Sequence, residues 1–276
     1  MRLQLVPART GLRWVREGVR TFWRMPLAFG GLFLMFVTGA GAVALIPLIG
    51  APLVLAMVPA ATLGLMVATR QVAENGGIPL PAMLVVAFRQ SPRQTRAMLI
   101  LGALYVGALL GIAAISAWMD DGQMAKLIAK HGDSFSPELM ADPEIQPAAR
   151  AFLRQILVSS LLYTPVSVLL WHAPALVHWH GMPVGKSLFF SAVAVLRNTS
   201  AYLAYGIGWV AVASIGWTGL LVVAGMIGNP GIAIVGMPLL AILVAAMFNT
   251  SLWFTFRDSF AADTPPAQAP PPDTQR

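Results

Sequence analysis

The chain has 276 residues, of which 57% are hydrophobic and only 11% are charged, and its mean hydropathy is +0.73. A water-soluble domain carries about 25% charged residues, so this chain has too few of them to cover a water-facing surface. It contains no cysteine, which excludes disulfides, thiolate catalysis and cysteine metal sites. The composition predicts an all-α polytopic membrane bundle.

Residues 1–26 are predicted to form a basic amphipathic helix ahead of the membrane domain. Five arginines recur at intervals of three or four residues, so at 100° per residue they share one stripe about 80° wide. They are Arg9, Arg13, Arg16, Arg20 and Arg24. The residues around this stripe are apolar or aromatic, and they are Leu12, Trp14, Val15, Val19, Phe22 and Trp23. The pattern is typical of a helix that lies in the plane of the lipid headgroups.

Six membrane spans are predicted within residues 27–258. They run over residues 27–49, 53–69, 97–119, 156–179, 200–223 and 232–255. The charge-free windows 25–69 and 198–256 are each too long for one span, since the second would be about 88 Å long as a single helix. Each window therefore folds back once. Further short basic interfacial helices are predicted before spans 3 and 5, the first of them opened by Pro79.

The distribution of charge predicts the orientation. Fourteen of the eighteen lysines and arginines fall on one side of the six-span scheme. The positive-inside rule assigns that side, with both termini, to the cytoplasm of a bacterial inner membrane. The loop 120–152, with six acidic residues, is then external. Residues 259–276 are rich in proline and are expected to form a disordered cytoplasmic tail.

The sequence repeats itself at a distance of 104 residues. The matching positions are Gly77, Pro79, Leu84, Arg93, Thr95, Ala97, Gly102 and Val106 against Gly181, Pro183, Leu188, Arg197, Thr199, Ala201, Gly206 and Val210. Residues 50–53 also resemble residues 236–239, which supports a threefold form with units 8–78, 79–182 and 183–258. The repeat is read as twofold or threefold, and its units are parallel because all start from the same face.

No enzyme signature is found in the sequence. Asp120 and Asp121 form the only acidic pair, and Gly76-Gly77 lacks the Lys-Ser/Thr of a phosphate-binding loop. We expect no catalytic residues, no cofactor and no metal site. Three of the four histidines, His172, His178 and His180, lie close in sequence, which leaves metal binding as an alternative. An interfacial belt of Trp171, Trp179 and their neighbours explains the segment better.

A transport path has little support in the spans. No acidic or basic side chain lies well inside any of them, whereas coupled transporters usually place ionisable groups at mid-membrane. The polar candidates for a pathway are His172 and Asn249. Asn249, with Thr250 and Ser251, is expected to hydrogen-bond a neighbouring helix, and a role in a substrate pathway is the alternative.

The residues around the second break carry a family resemblance. Ala173-Pro174-Ala175-Leu176 ends one span, Lys186-Ser187-Leu188-Phe189 lies in a short helix, and Leu196-Arg197-Asn198 enters the next span. This pattern resembles uncharacterised bacterial multi-pass inner-membrane proteins. The layout of residues 10–258 is similar to the membrane domain fused to some glycerophosphodiester phosphodiesterases. Gly185-Lys186 departs from the usual Ala-Leu. The resemblance implies a helical inner-membrane protein and no catalytic residues, and no phosphodiesterase domain is present.

Two functions follow as hypotheses. The first is a non-enzymatic membrane protein whose basic cytoplasmic face binds anionic lipid headgroups or a protein partner, including a second copy of the chain, and no nucleic acid. Its binding residues are Arg9, Arg13, Arg16, Arg20, Arg24, Arg89, Arg93 and Arg197. The alternative is a permease for a neutral or amphiphilic solute, with His172 and Asn249 facing its path.

Overall fold

The computed structural model of the chain describes residues 2–119, Gly122 and residues 146–261. The predicted external loop lies outside these residues except for Gly122 and residues 146–152. The predicted tail lies outside them from residue 262 onward.

The described residues form nine α-helices in succession. These are α1 (Arg9–Arg24), α2 (Pro26–Ala44), α3 (Gly50–Arg70), α4 (Pro92–Met119), α5 (Gln146–Leu170), α6 (Ala173–His180), α7 (Val184–Arg197), α8 (Thr199–Ile227) and α9 (Gly231–Ser259). A π-helical turn, Gln71–Asn75, extends α3, and a 3₁₀ helix, Pro81–Phe88, precedes α4. Two short strands, β1 (Arg2–Leu3) and β2 (Phe260–Ala261), pair antiparallel.

Six helical stretches of the described residues are long and apolar enough to cross a membrane, which confirms the predicted number of spans and the all-α polytopic fold. They are Pro26–Ala44, Gly50–Asn75, Pro92–Met119, Gln146–His180, Thr199–Ile227 and Gly231–Ser259. The first span is shorter than predicted, since α2 ends at Ala44 rather than Ile49. Ile46 precedes Pro47, and a residue before proline disfavours the α conformation.

The predicted basic interfacial helix before span 3 differs from the one observed. The helix is 3₁₀, begins at Pro81 rather than Pro79, and consists of apolar residues and no arginine. Arg89 follows it, and Arg93 already belongs to α4. The arginines of this segment therefore lie at the entrance of the span rather than on a separate amphipathic helix.

The order of elements agrees with a repeat, while the matched residues do not occupy equivalent places. A short helix precedes each pair of spans, at α1, at the 3₁₀ helix and at α7. Arg93, however, lies within α4, while its match Arg197 ends α7. Gly76, rather than Gly77, shares the left-handed conformation of Gly181, with φ of 65° and 59°. The internal repeat stays a prediction.

The chain divides into two compact units. The first takes residues up to Val37, Gly64–Leu84 and the chain from Val193 onward; within it, α1 packs against α8 and α9, and α8 packs against α9. The second takes Thr38–Leu63 and Val85–Ala192, and there α4 packs against α5 and α6.

Two hydroxyl pairs join α4 to α5 within the second unit. The Oγ atoms of Ser116 and Ser159 lie 2.7 Å apart. The hydroxyl oxygens of Tyr105 and Tyr163 lie 3.5 Å apart. A hydrogen bond between side chains is favourable in lipid because no water competes for it, and such bonds commonly join membrane helices.

Candidate functional site

Helix α1 lies with one face covered by protein. Trp14 is completely buried, and its ring centroid lies 5.2 Å from that of Tyr202 and 6.0 Å from that of Tyr205 on α8. The other buried residues of this face are Thr10, Gly11, Val15, Gly18, Thr21 and Phe22. Leu12 and Trp23, predicted for the apolar side, are 53% and 58% exposed. The buried face of α1 packs on α8 and α9, and the predicted location of the helix in the headgroup plane stays a prediction.

Two glycines allow this close packing. A Cβ atom at Gly11 would overlap the carbonyl oxygen of Ala201 on α8, and one at Gly18 would overlap Ser251 on α9. Thr250 on α9 donates a hydrogen bond of 3.1 Å to the carbonyl oxygen of Gly18. Small residues let helix backbones approach one another closely, so these positions set the depth at which α1 docks. Gly11 and Gly18 are seven residues apart and therefore share a helix face.

The segment before α1 is held by Asn198, which lies between α7 and α8 and is only 1% exposed. Its Oδ1 accepts a hydrogen bond of 2.8 Å from the Val6 amide. Its Nδ2 donates to the carbonyl oxygens of Gln4 and Ala194, each at 3.0 Å. The amide of Gln4 donates to the carbonyl oxygen of Ser259 at the end of α9. The start and the end of the membrane domain therefore lie side by side in the first unit.

Asp258, near the end of α9, is the acceptor at the centre of a charged cluster. Its Oδ2 accepts hydrogen bonds from Arg13 Nη2 at 2.6 Å and from Trp14 Nε1 at 2.9 Å, while its Oδ1 accepts from Arg257 at 2.8 Å. Arg257 also pairs with Glu17 at 2.9 Å. The Asp258 side chain is only 12% exposed. Arg13 therefore helps to hold α1 on α9, a role that the arginine spacing alone did not suggest.

The remaining arginines of α1 have no carboxylate partner in the described part of the chain. The acidic residues there are Glu17, Glu74 and Asp258, and each already forms an ion pair with Arg13, Arg70 or Arg257. The unpaired arginines of α1 all have exposed side chains, and they are Arg9, Arg16, Arg20 and Arg24. These four arginines form an exposed row along α1 without a carboxylate partner among the described residues, and we call this row, together with the paired Arg13, the α1 stripe.

A shallow pocket of about 470 Å³ opens at the start of this stripe. Arg9, Arg13 and Arg16 contribute its positive charge. Its apolar lining comes from Val6, Pro7 and Leu12. The arrangement places guanidinium groups beside apolar surface, which suits the headgroup and upper chain region of an anionic amphiphile.

The other predicted binding arginines are also exposed. They lie outside α1, on elements that are far from it in sequence. Arg197 ends α7, directly before the Asn198 that holds the N-terminal segment. Arg89 follows the 3₁₀ helix, and Arg93 lies in the first turn of α4. Arg89 and Arg93 belong to the second compact unit, and Arg197 belongs to the first.

The two predicted pathway residues, His172 and Asn249, both form hydrogen bonds within the protein. His172 is completely buried at the break between α5 and α6, where its backbone amide donates to Ser191 Oγ at 2.9 Å. Asn249 donates at 2.9 Å to the carbonyl oxygen of Ala245 in its own helix, so its predicted bond to a neighbouring helix is wrong. The interhelical bonds come from the next two residues: Thr250 bonds to α1, and Ser251 bonds to Tyr205 on α8.

The histidine segment is packed against α4. His178 is buried, and its Nε2 lies 3.2 Å from Nε2 of Gln90. Its ring meets that of Trp179 edge to face, with centroids 5.5 Å apart. Among the described residues, no three His, Asp or Glu side chains come together as a metal centre would require.

The chain is similar over its whole length to a bacterial membrane protein. The chain is 34% identical over 278 residues to a protein of Burkholderia thailandensis named as a probable inner membrane protein, and the match covers 100% of both chains. No family model matches the sequence. No solved structure matches the fold.

Proposed function

Since the chain belongs to the family of this inner membrane protein, we propose that it is a non-enzymatic multi-pass protein of the bacterial inner membrane whose α1 stripe binds anionic phospholipid headgroups. The observation that carries the proposal is the row of exposed arginines that have no carboxylate partner among the described residues. Arginine presents a planar fork of donors that matches the oxygens of a phosphate.

The proposal includes a cytoplasmic location for both termini. The excess of lysine and arginine on one side of the six-span scheme supports it. The pairing of β1 with β2 supports only the shared side, because it brings the two ends of the membrane domain together within the first unit. The cytoplasmic leaflet carries the anionic lipids that attract basic segments, and each basic residue near such a surface contributes about 1 kcal/mol.

The experiment compares the unfolding temperature of detergent-purified protein with phosphatidylglycerol and with phosphatidylcholine. A ligand that binds only the folded state raises the unfolding temperature, so we expect phosphatidylglycerol to stabilise the wild type more than phosphatidylcholine does. The variant Arg9→Gln/Arg16→Gln should lose a measurable part of this difference. These two arginines are chosen because Arg13 also bonds Asp258, so Arg13→Gln would disturb the docking of α1.

The matched control is Arg150→Gln/Arg154→Gln. It removes the same charge from two exposed arginines at the start of α5. We expect this control to keep the full response to phosphatidylglycerol. An equal loss in both variants would mean that net charge, rather than the α1 stripe, sets the response, and would overturn the proposal.

The permease is the second candidate, and the buried histidine at the α5–α6 break is the observation that favours it. A substrate path through His172 predicts that His172→Phe abolishes uptake of a solute while the protein still inserts and folds. Neither His172 nor Asn249 lines the pocket at the start of the α1 stripe or the pocket at the start of α4. The likeness in layout to the membrane domain fused to some glycerophosphodiester phosphodiesterases stays a prediction.

A further inference from the structure

A second basic pocket lies in the other compact unit, at the start of α4. Its volume is about 390 Å³, within the usual range for small-molecule sites. One wall is the first three turns of α4, and the other is the end of α6 with the loop leading to α7. The basic and apolar side chains that line these walls include Arg93, Arg96, Ala97, Ile100, Met182 and Pro183.

The two walls are joined by hydrogen bonds. Gln94 Nε2 donates to the carbonyl oxygens of Val177 and His178, at 3.4 and 3.2 Å. Gln90 reaches the His178 ring from the segment before α4. The left-handed Gly181 then turns the chain away from α6 toward Met182 and Pro183. The pocket is therefore held open by contacts between buried or half-buried groups before any ligand enters.

The charge in this pocket is positive and has no acidic counterpart there. Arg93 and Arg96 are exposed, neither forms an ion pair with a described residue, and no carboxylate lines the pocket. The two residues are three apart on a helix and therefore face the same way. Two guanidinium groups on one wall can bind a phosphate from the same side.

The lining changes from basic to apolar along α4. Ala97 and Ile100 follow Arg93 by four and seven residues and so continue the same helix face toward the span. At 1.5 Å per residue, Ile100 lies about 10 Å from Arg93 along the helix axis. Ile100 is 41% exposed, so this apolar strip opens outward. A phosphate at the arginines would leave acyl chains free to follow Ala97 and Ile100 into the membrane.

We propose that this pocket is a discrete binding site for one anionic phospholipid, with its phosphate between Arg93 and Arg96 and its acyl chains along Ala97 and Ile100. Basic pockets between membrane helices on the cytoplasmic side are places where lipid headgroups bind. This proposal rests on the cytoplasmic orientation in the proposed function. It extends that function by assigning Arg93 to a specific lipid site. It differs from the α1 stripe in being enclosed on two sides and in the second unit.

The test measures binding of dioctanoyl phosphatidylglycerol to the full-length protein in zwitterionic detergent by titration calorimetry. The variant Arg93→Gln/Arg96→Gln should weaken the tighter class of sites about thirtyfold, the effect of removing two charges near a headgroup. Ala97→Trp keeps both charges and fills the apolar strip, and it should weaken the same class. Arg150→Gln/Arg154→Gln should leave the binding unchanged.

Two further experiments complete the test. Competition shows whether the bound phosphate belongs to a lipid or to a soluble molecule, and a variant of the α1 stripe separates the two sites. Glycerol 3-phosphate and inorganic phosphate should not compete at equal concentration, because they lack acyl chains. Competition by either would identify a site for soluble phosphate and overturn the proposal. Unchanged binding in Ala97→Trp would also overturn it. In Arg9→Gln/Arg16→Gln the tighter class should persist; a loss there alone would leave the proposed function standing and reject this pocket.

Discussion

Asn198 shows how one side chain orders a terminus. Its amide satisfies groups on residues that lie 192 and 194 positions away in the sequence, at Val6 and Gln4. The side chain is almost fully buried, so its amide has little access to water. A buried polar group left unsatisfied costs about 1–3 kcal/mol. The same reasoning explains why an asparagine, with both a donor and an acceptor, suits this position.

Replacing Asn198 by alanine should release the N-terminal segment. We expect Asn198→Ala to lower the free energy of unfolding by about 2 kcal/mol and to speed hydrogen exchange at the Val6 amide. Asn249→Ala is the matched control, because the Asn249 amide donates to its own helix and its loss should cost less than about 0.5 kcal/mol. Equal effects of the two substitutions would contradict the role given to Asn198.

At the scale of elements, α1 is held by packing as much as by its charges. Its arginines form an exposed stripe, but its position is set by Trp14 within the aromatic residues of α8 and by Gly11 and Gly18 against neighbouring backbones. The Asp258 cluster adds an ion pair to the same interface. A helix fixed in this way holds the backbone of its arginines in place, which would lower the entropy lost in the proposed binding of a headgroup.

Gly18→Ala tests the docking of α1 directly. The added methyl group would overlap Ser251, so α1 must move outward, and overpacking of this kind costs about 1–3 kcal/mol. Hydrogen exchange in α1 should rise with the loss of stability. The control is Gly30→Ala in α2, where a Cβ meets nothing within 4 Å and alanine favours the helix. If Gly18→Ala were as stable as Gly30→Ala, the close packing of α1 would be refuted.

At the scale of the whole molecule, hydropathy predicts the number of spans and local periodicity predicts the basic helix. Both signals are local in sequence, so they can be read without knowing which residues are in contact. The bond from Trp14 to Asp258 joins residues 244 positions apart, and no local pattern points to it. Gly11 and Gly18 give no signal in the sequence pattern, because glycine contributes little to an apolar face.

The second pocket shows the same difference between local sequence signals and long-range contacts. The sequence points to Arg93 through its match with Arg197. Arg96 becomes a candidate binding residue only because α6 and its following loop form the opposite wall of the pocket. Side-chain amides at Gln90 and Gln94 join these walls across more than eighty residues of sequence. Contacts of that range depend on the packing of the spans.

The central claim is that the α1 stripe holds anionic lipid, and native mass spectrometry of the protein released from its own membrane tests it most directly. The wild type and Arg150→Gln/Arg154→Gln should retain phosphatidylglycerol, and Arg9→Gln/Arg16→Gln should retain markedly less, with the unfolding temperature in detergent unchanged. Equal retention of phosphatidylglycerol by all three proteins would contradict the claim.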